Sequence, residues 1–405
     1  MVSPATTRGL RALTVAFALS QFFRTCLAVM APELQRDLLL SPAGFGALSS
    51  CFFLAFALAQ VPVGVAFDRY GVGAPTRVLL ALGVASALLF VLAPNGGTAM
   101  LAQLGLGLAC APVFMGLMHH ASATLPPQRY VAFLGRSNAL GMVGALLATA
   151  PLGWAVHAIG WRVPIALAAL CMLFACIGVW RQVRDHGHAD AKAEAPVAML
   201  GASARLLALP AMWTLIPLCV AMAAGTAFRN AWGGPYLADV FGLQAGARGM
   251  ALTVLSLGGF CTALLLPWLV RRASLKRCVL GWSLLAFVAA AALAMAPAAG
   301  LLPDLALLTV LGTVGMLHPL VMAHGRELVA PAQRGRGLGL LNSFVFLGSA
   351  LAAWAFGLIA DWGQRAQWAP AASYGAIFGC AAVLVLAGLL PYAFSPRPTT
   401  ADARS

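Results

Sequence analysis

Charge is scarce in this sequence. Asp, Glu, Lys and Arg make up 9% of its 405 residues, and only 11 residues are acidic. Soluble domains carry about 25% charged residues, so a soluble globular protein is excluded. A phosphate-binding loop is missing, and without one ATP has no place from which to drive the protein. HExxH and GxSxG motifs are missing as well, which removes two large classes of hydrolase. The expectation is a protein that is not an enzyme and uses no cofactor. Cysteine is present, but its count of nine is odd and every one falls in or beside an apolar run, which argues against a disulfide framework.

What the chain does have is apolar length. Hydrophobic residues make up 61% of it, and the mean hydropathy is +0.90. Polar breaks and Pro/Gly punctuation divide it into twelve apolar segments, each near the ~20 residues a bilayer requires. They run over 10–34, 44–66, 77–94, 99–124, 133–156, 163–181, 210–240, 247–270, 277–297, 303–329, 336–360 and 370–394. The first could pass for a signal peptide, because "AVMA" resembles a cleavage site. Arg24 interrupts its apolar core, however, and an uncleaved first helix is expected. The longest polar stretch, residues 184–205, reads as a cytoplasmic linker that includes His186 and His188. It separates an N-terminal half, 1–183, from a C-terminal half, 206–394, with a cytoplasmic tail at 395–405. The expected fold class is an all-α membrane protein of twelve transmembrane helices in two pseudo-symmetric six-helix halves.

The basic residues set the orientation. With the N-terminus in the cytoplasm, nineteen of the 25 lysines and arginines fall in inner loops and tails. Four fall outside, namely Arg36, Arg162, Arg248 and Arg365, and two, Arg24 and Arg229, lie within helices. This is a positive-inside distribution. The net charge of +14 therefore expresses topology and affinity for anionic lipid headgroups, and nucleic acid is not an expected partner. The Ala/Arg-rich composition suggests a bacterial source. A multi-pass protein of the inner membrane, monomeric, with both termini cytoplasmic, is expected.

Arg24 stands in "SQFFRTCLAVMAPEL", residues 20–34. An arginine at the centre of a membrane helix costs about 2.5–3.5 kcal/mol on insertion scales and marks a functional position. A gapless offset of 205 residues carries Arg24 onto Arg229, Pro62 onto Pro267, His119 onto His324 and Arg129 onto Arg334. Repeats of this kind build many transporter folds, with the binding site at the repeat interface. A guanidinium stays charged and offers a planar fork suited to carboxylate or phosphate. No acidic residue is expected near the midplane, since Glu33 and Asp239 lie toward outer helix ends and Glu327 toward an inner one. Two unpaired cations in a poorly solvated site repel each other and call for a shared anion.

The stretch "GVAFDRYGVGAPTR", residues 64–77, resembles the loop signature of the major facilitator superfamily. Gly64, Asp68, Arg69 and Gly71 fit, whereas Val72 and Gly73 stand where a basic pair is usual. The resemblance implies that this loop latches the cytoplasmic gate. It further implies that helices 1, 4, 7 and 10 line a central cavity. An arginine on helix 1 matched by one on helix 7 looks like the organophosphate:phosphate antiporters and related organic-anion transporters, where the pair is implied to clamp the anion.

The function expected is thus secondary active transport of a small organic anion, a carboxylate or phosphate ester, by alternating access. Arg24 and Arg229 are the expected clamp. Gln21, Asn230, Tyr236, Asn138, Asn342 and Ser343 are candidates for further substrate contacts, with interhelical hydrogen bonding as the alternative for the polar ones. His119 and His324, on segments 4 and 10, are candidates to carry a coupling proton. Two rivals remain open. Met115 and His119, and His318 and Met322, are paired at i, i+4, and thioether with imidazole suits Cu(I), so copper or metal-chelate import is one. A membrane sensor that binds an anion without moving it is the other. Segment 4 lacks the arginine of proton-coupled drug antiporters, which leans the expectation toward uptake or exchange.

Overall fold

The computed structural model describes residues 4–183, 206–330 and 333–396. The expected linker, 184–205, and nearly all of the expected tail lie outside the described residues. Among those described, eleven helices are long and apolar enough to cross a membrane, and a bent pair at the N-terminus makes a twelfth. We number the spans in chain order. α1 is the bent pair Pro4–Thr25 and Leu27–Asp37, α2 is Pro42–Tyr70, α3 Gly73–Val91, α4 Gly96–Thr124, and α6 Arg162–Gln182. α5 is broken into Pro127–Leu147 and Ala150–Ile159. α7 runs through Pro210–Ala221, Ala223–Ala227, a π-helical turn Phe228–Trp232 and Gly233–Phe241. α8 is Ala245–Arg272, α9 Leu275–Met295, α11 Arg334–Arg365 and α12 Pro370–Ala393. α10 joins Leu301–Gly312 to His318–Leu328 through a 3-10 turn, Thr313–Leu317.

Local chemistry explains where these helices start and stop. Ser41, Asn95 and Ser274 cap α2, α4 and α9, each accepting a hydrogen bond from an otherwise orphaned backbone N–H. α2 ends at Gly71, whose φ of +75° suits a residue without Cβ. With twelve spans the chain begins and ends on one face, called here the terminal face. The opposite one is the far face.

The breaks within spans carry more information than the ends. Proline follows four of them: Pro32 in α1, Pro151 in α5, Pro235 after the π turn of α7 and Pro319 in α10. Proline has no N–H to donate and its ring crowds the carbonyl four residues back, so the helix bends or changes pitch just ahead of it. α1 bends by 52° at Cys26. In α7 the N–H of Gly233 bonds the carbonyl of Phe228, five residues back. In the sequence each of these spans is one uniform apolar run, because apolar content carries no sign of a change in helical pitch.

The two halves meet most closely at the far face. Gly153 and Gly249 bring α5 against α8, where a Cβ on Gly153 would stand 2.4 Å from the Ala245 carbonyl oxygen. Thr253 of α8 receives the N–H of Ala150 at 3.2 Å and donates to Thr149 Oγ1 at 2.8 Å. Gly234 of α7 sits so close to α1 that a Cβ there would lie 1.5 Å from the Ala28 carbonyl oxygen. That oxygen is the one whose helical donor Pro32 removes, so it is free to meet the Gly234 backbone. Toward the terminal face, glycines of α2, α5 and α11 meet nothing: Gly64, Gly135 and Gly339 have no atom within 4 Å of a Cβ position. The molecule is closed at the far face and open at the terminal one.

Candidate functional site

Arg24 and Arg229 both sit at helix irregularities. Arg24 precedes the bend of α1 by two residues, and Arg229 lies inside the π turn of α7. Local unwinding of this kind marks many functional positions in helices. Both side chains are half-buried. Arg24 makes no hydrogen bond or ion pair among the described residues, and its Nε is buried without a partner. Its Cζ lies 4.9 Å from the ring centre of Phe56 and 5.0 Å from that of Phe346. Those rings are 4.1 Å apart, so the guanidinium rests over their shared edge. Phe56 belongs to α2 and Phe346 to α11, so the two halves build this aromatic seat together.

Arg229 likewise has no hydrogen bond or ion pair among the described residues. Its Nη1 reaches across to α8, where a Cβ on Gly259 would lie 3.8 Å from it and 3.6 Å from Met316 Cε. Arg24 lies within electrostatic reach of Arg229 and of His318. Repulsion between two like charges with no carboxylate between them is relieved by an anion.

Beside Arg24 a chain of polar side chains crosses from one half to the other. Gln60 Nε2 of α2 donates to the Phe56 carbonyl at 3.3 Å. Asn342 Nδ2 of α11 donates to Gln60 Oε1 at 2.9 Å, and His318 Nε2 of α10 lies 3.0 Å from Asn342 Oδ1. Asn342 is among the sequence candidates, but Gln60 is not. An isolated glutamine on an apolar helix gives no sign of its partner 282 residues away.

The other candidates fall in several places. Gln21 is half-buried one turn before Arg24. Asn230, 3% exposed, keeps a buried Oδ1 without a partner. Ser343 donates to the Gly339 carbonyl of its own helix, and Asn138 is exposed on the terminal half of α5. Tyr236, expected at the substrate, is instead wholly buried on the far side, its hydroxyl 2.6 Å from both the Pro297 carbonyl and Asp304 Oδ2. A straight helix would return Tyr236, seven residues on, to the face of Arg229. The π turn inserts one extra residue and rotates everything beyond it by about 100°.

His324 is committed as well. Its Nε2 donates to the Pro396 carbonyl and its Nδ1 lies against the Tyr392 hydroxyl, both at 3.0 Å, so both ring nitrogens are hydrogen-bonded. His119 is exposed near the terminal end of α4, its ring 6.0 Å from that of Phe67. Of the expected latch, Gly64 faces open space, Gly71 ends α2 and Arg69 stacks on Tyr70 at 5.2 Å. The side chain of Asp68 lies outside the described residues. Met115 and Met322 are half-buried. No group of three or more His, Cys, Asp or Glu among the described residues is placed to hold a metal ion.

One cross-half contact was not anticipated from sequence. Arg248, 4% exposed at the start of α8, donates Nη2 to both oxygens of Glu33 at 2.7 Å and to the Val29 carbonyl at 3.0 Å. Its Nη1 reaches the Leu243 carbonyl at 3.0 Å. It ties α8 to the far segment of α1, although its position near a helix start reads as an outer loop.

A family model described as Major Facilitator Superfamily matches residues 13–299 and 230–405. The chain belongs to the major facilitator superfamily. Its architecture agrees with solved members of that fold: a D-xylose-proton symporter at TM-score 0.78 and 14% identity, over 97% of this chain and 98% of that one, and the nucleoside transporter NupG at 0.77 and 14%, over 97% and 100%. Among curated proteins, the chain is 23% identical over 184 residues to the hexuronate transporter of Bacillus subtilis (strain 168), covering 45% of this chain and 43% of that one. It is 26% identical over 188 residues to the probable L-galactonate transporter of Escherichia coli (strain K12), covering 45% and 41%. A probable galactarate/D-glucarate transporter of the same strain matches at 28% over 144 residues, 34% of this chain and 32% of that one. The matches thus span less than half the length of these curated relatives.

Proposed function

We propose that this multi-pass membrane protein is a secondary transporter of small organic anions, and that its substrates are sugar acids. The observation that carries the reading is the pair of unpartnered, half-buried guanidinium groups of Arg24 and Arg229. They stand at matching positions of the two halves, and neither has a hydrogen bond or an ion pair among the described residues. A substrate carboxylate supplies the missing charge and joins the halves through two charge-assisted forks. The three relatives, named as transporters of sugar acids, support that chemical class over phosphate esters.

The terminal face is assigned to the cytoplasm, because most basic residues gather there, whereas Arg36, Arg162, Arg248 and Arg365 are at the far ends of spans. The state described is then open inward. Rocking of the halves about the arginine pair exposes the site to either side in turn. Partners are the anion and the bilayer of a bacterial inner membrane.

Thermal stabilisation of purified protein tests the reading. Aldonates, uronates, aldarates, phosphate esters and Cu(I) make up the panel. A ligand at ~100 times its dissociation constant adds ~2.7 kcal/mol to the native state. Stabilisation by a sugar acid that vanishes in Arg24→Gln and Arg229→Gln supports the clamp. Stabilisation that survives both substitutions, or that comes from Cu(I) alone, removes it. Uptake of the same anion into proteoliposomes separates a transporter from a sensor.

A further inference from the structure

The polar chain beside Arg24 has a direction. Gln60 gives its amide nitrogen to a backbone carbonyl, which can only accept, so its oxygen must face Asn342. Asn342 therefore presents its nitrogen to Gln60 and its oxygen to His318. An oxygen that can only accept requires an N–H opposite it, and so fixes the proton of His318 on Nε2. In the neutral ring Nδ1 is then a bare lone pair. It has no hydrogen-bond partner among the described residues, and it belongs to a half-buried side chain within electrostatic reach of Arg24.

A bare acceptor beside two guanidinium groups divides the labour of recognition. The guanidiniums donate and attract a carboxylate. The imidazole lone pair repels a carboxylate oxygen and accepts only from a donor. We propose that His318 is a specificity-determining residue whose Nδ1 accepts a hydrogen bond from a hydroxyl of the anion held on Arg24 and Arg229, so that the site selects hydroxylated carboxylates over plain ones. Asn342 and Gln60 are positioning residues that hold the imidazole in the accepting tautomer. The proposal rests on the anion reading of the arginine pair. A plain carboxylate that fills the same volume leaves Nδ1 desolvated and unpaired, at a loss of about 10- to 100-fold in affinity.

The test compares dissociation constants for a six-carbon aldonate and for hexanoate by calorimetry. In the unaltered protein the aldonate binds about 10- to 100-fold tighter. His318→Phe keeps a ring but loses the acceptor, and the ratio falls to within about threefold with hexanoate binding unchanged. His318→Gln, which both donates to Asn342 and accepts, keeps most of the ratio. Gln60→Leu lowers it by releasing the tautomer. The nitrogen-15 NMR shifts of the His318 ring report an Nε2-protonated, Nδ1-bare imidazole, which becomes mixed in Gln60→Leu. An unchanged ratio in His318→Phe, an equal weakening of both anions, or the opposite tautomer overturns the proposal and leaves the clamp standing. Failure of the clamp has its own signature: binding of both anions that is indifferent to Arg24→Gln and Arg229→Gln. In that case the preference for hydroxyls, if it persists, is not set at this site and the proposal falls with the clamp.

Discussion

On α2 and α11, Gly46 and Gly357 meet at the far face so closely that a Cβ on Gly46 would stand 2.8 Å from Gly357 Cα, whereas Gly64 and Gly339 of the same two helices face open space toward the terminal face. Small residues allow membrane helices to approach backbone to backbone, and association there is driven by such contact and by interhelical hydrogen bonds. The far face has both, in the glycine contacts, the Thr253 bonds and the Arg248–Glu33 pair. The terminal face holds glycines in reserve. The same helix pair thus serves as closed joint at one end and as open jaw at the other. In the proposed alternating-access cycle, these open glycines are where the second closed state would form.

Four substitutions sharpen or break that comparison. The largest effect is expected of Gly234→Leu. Its side chain would occupy the space of the Ala28 carbonyl, the far face could not close, and anion uptake should fall more than about 100-fold while the protein still inserts and folds, as a shift of about 3 kcal/mol against the closed state implies. Uptake within a few-fold of normal would show that the face closes elsewhere. Next is Glu33→Gln, which leaves Arg248 with a neutral partner. Exchanging a charged acceptor for a neutral one weakens its hydrogen bonds by about 1.5–2 kcal/mol, so thiol labelling of single cysteines at the far face should rise about 10- to 30-fold. Labelling that stays at its original level would make the pair a bystander.

Thr253→Val removes the acceptor for the Ala150 N–H and the donor to Thr149. At about 1 kcal/mol for each hydrogen bond, the far face should open about 5- to 30-fold more often, read by the same labelling. The smallest change is Gly339→Ala, which meets no atom in the present state and should alter stability by less than about 0.5 kcal/mol. It should slow return to the outward-open state, visible in the rate of net uptake and not in binding. A large loss of melting temperature would mean that the terminal face is already packed at that point.

Much of the plan is legible in the sequence because lipid imposes it. Span number follows from apolar length, and the arginine pair follows from a gapless offset of 205 residues. What escapes is whatever depends on the direction a side chain takes after a break. Tyr236 is misplaced because the π turn in α7 adds a residue that hydropathy does not register. Gln60, Asn342 and His318 form a chain only once α2, α10 and α11 stand together, and the offset, which pairs each half with the other's copy, says nothing of contacts between unrelated helices. Arg248 resembles a loop arginine for the same reason, since its partner lies on α1. His324 drew notice as the mate of His119, but symmetry of position did not bring symmetry of environment: one is sealed against Tyr392 and Pro396, the other exposed.

The aromatic seat beneath Arg24 bears on the rate at which the proposed transporter would change state without substrate. Phe56 and Phe346 come from different halves, so the cation resting on both contributes to the cohesion of the unloaded form, by about 0.5–2 kcal/mol for contacts of this kind. In the proposed clamp, an incoming carboxylate would compete for that cation and loosen the seat as it binds. On that reading the loaded form would be released to turn over, and the empty one delayed by roughly 2- to 30-fold. Exchange of anion for anion should then run ahead of net flux, with the difference shrinking when either phenylalanine is replaced by leucine.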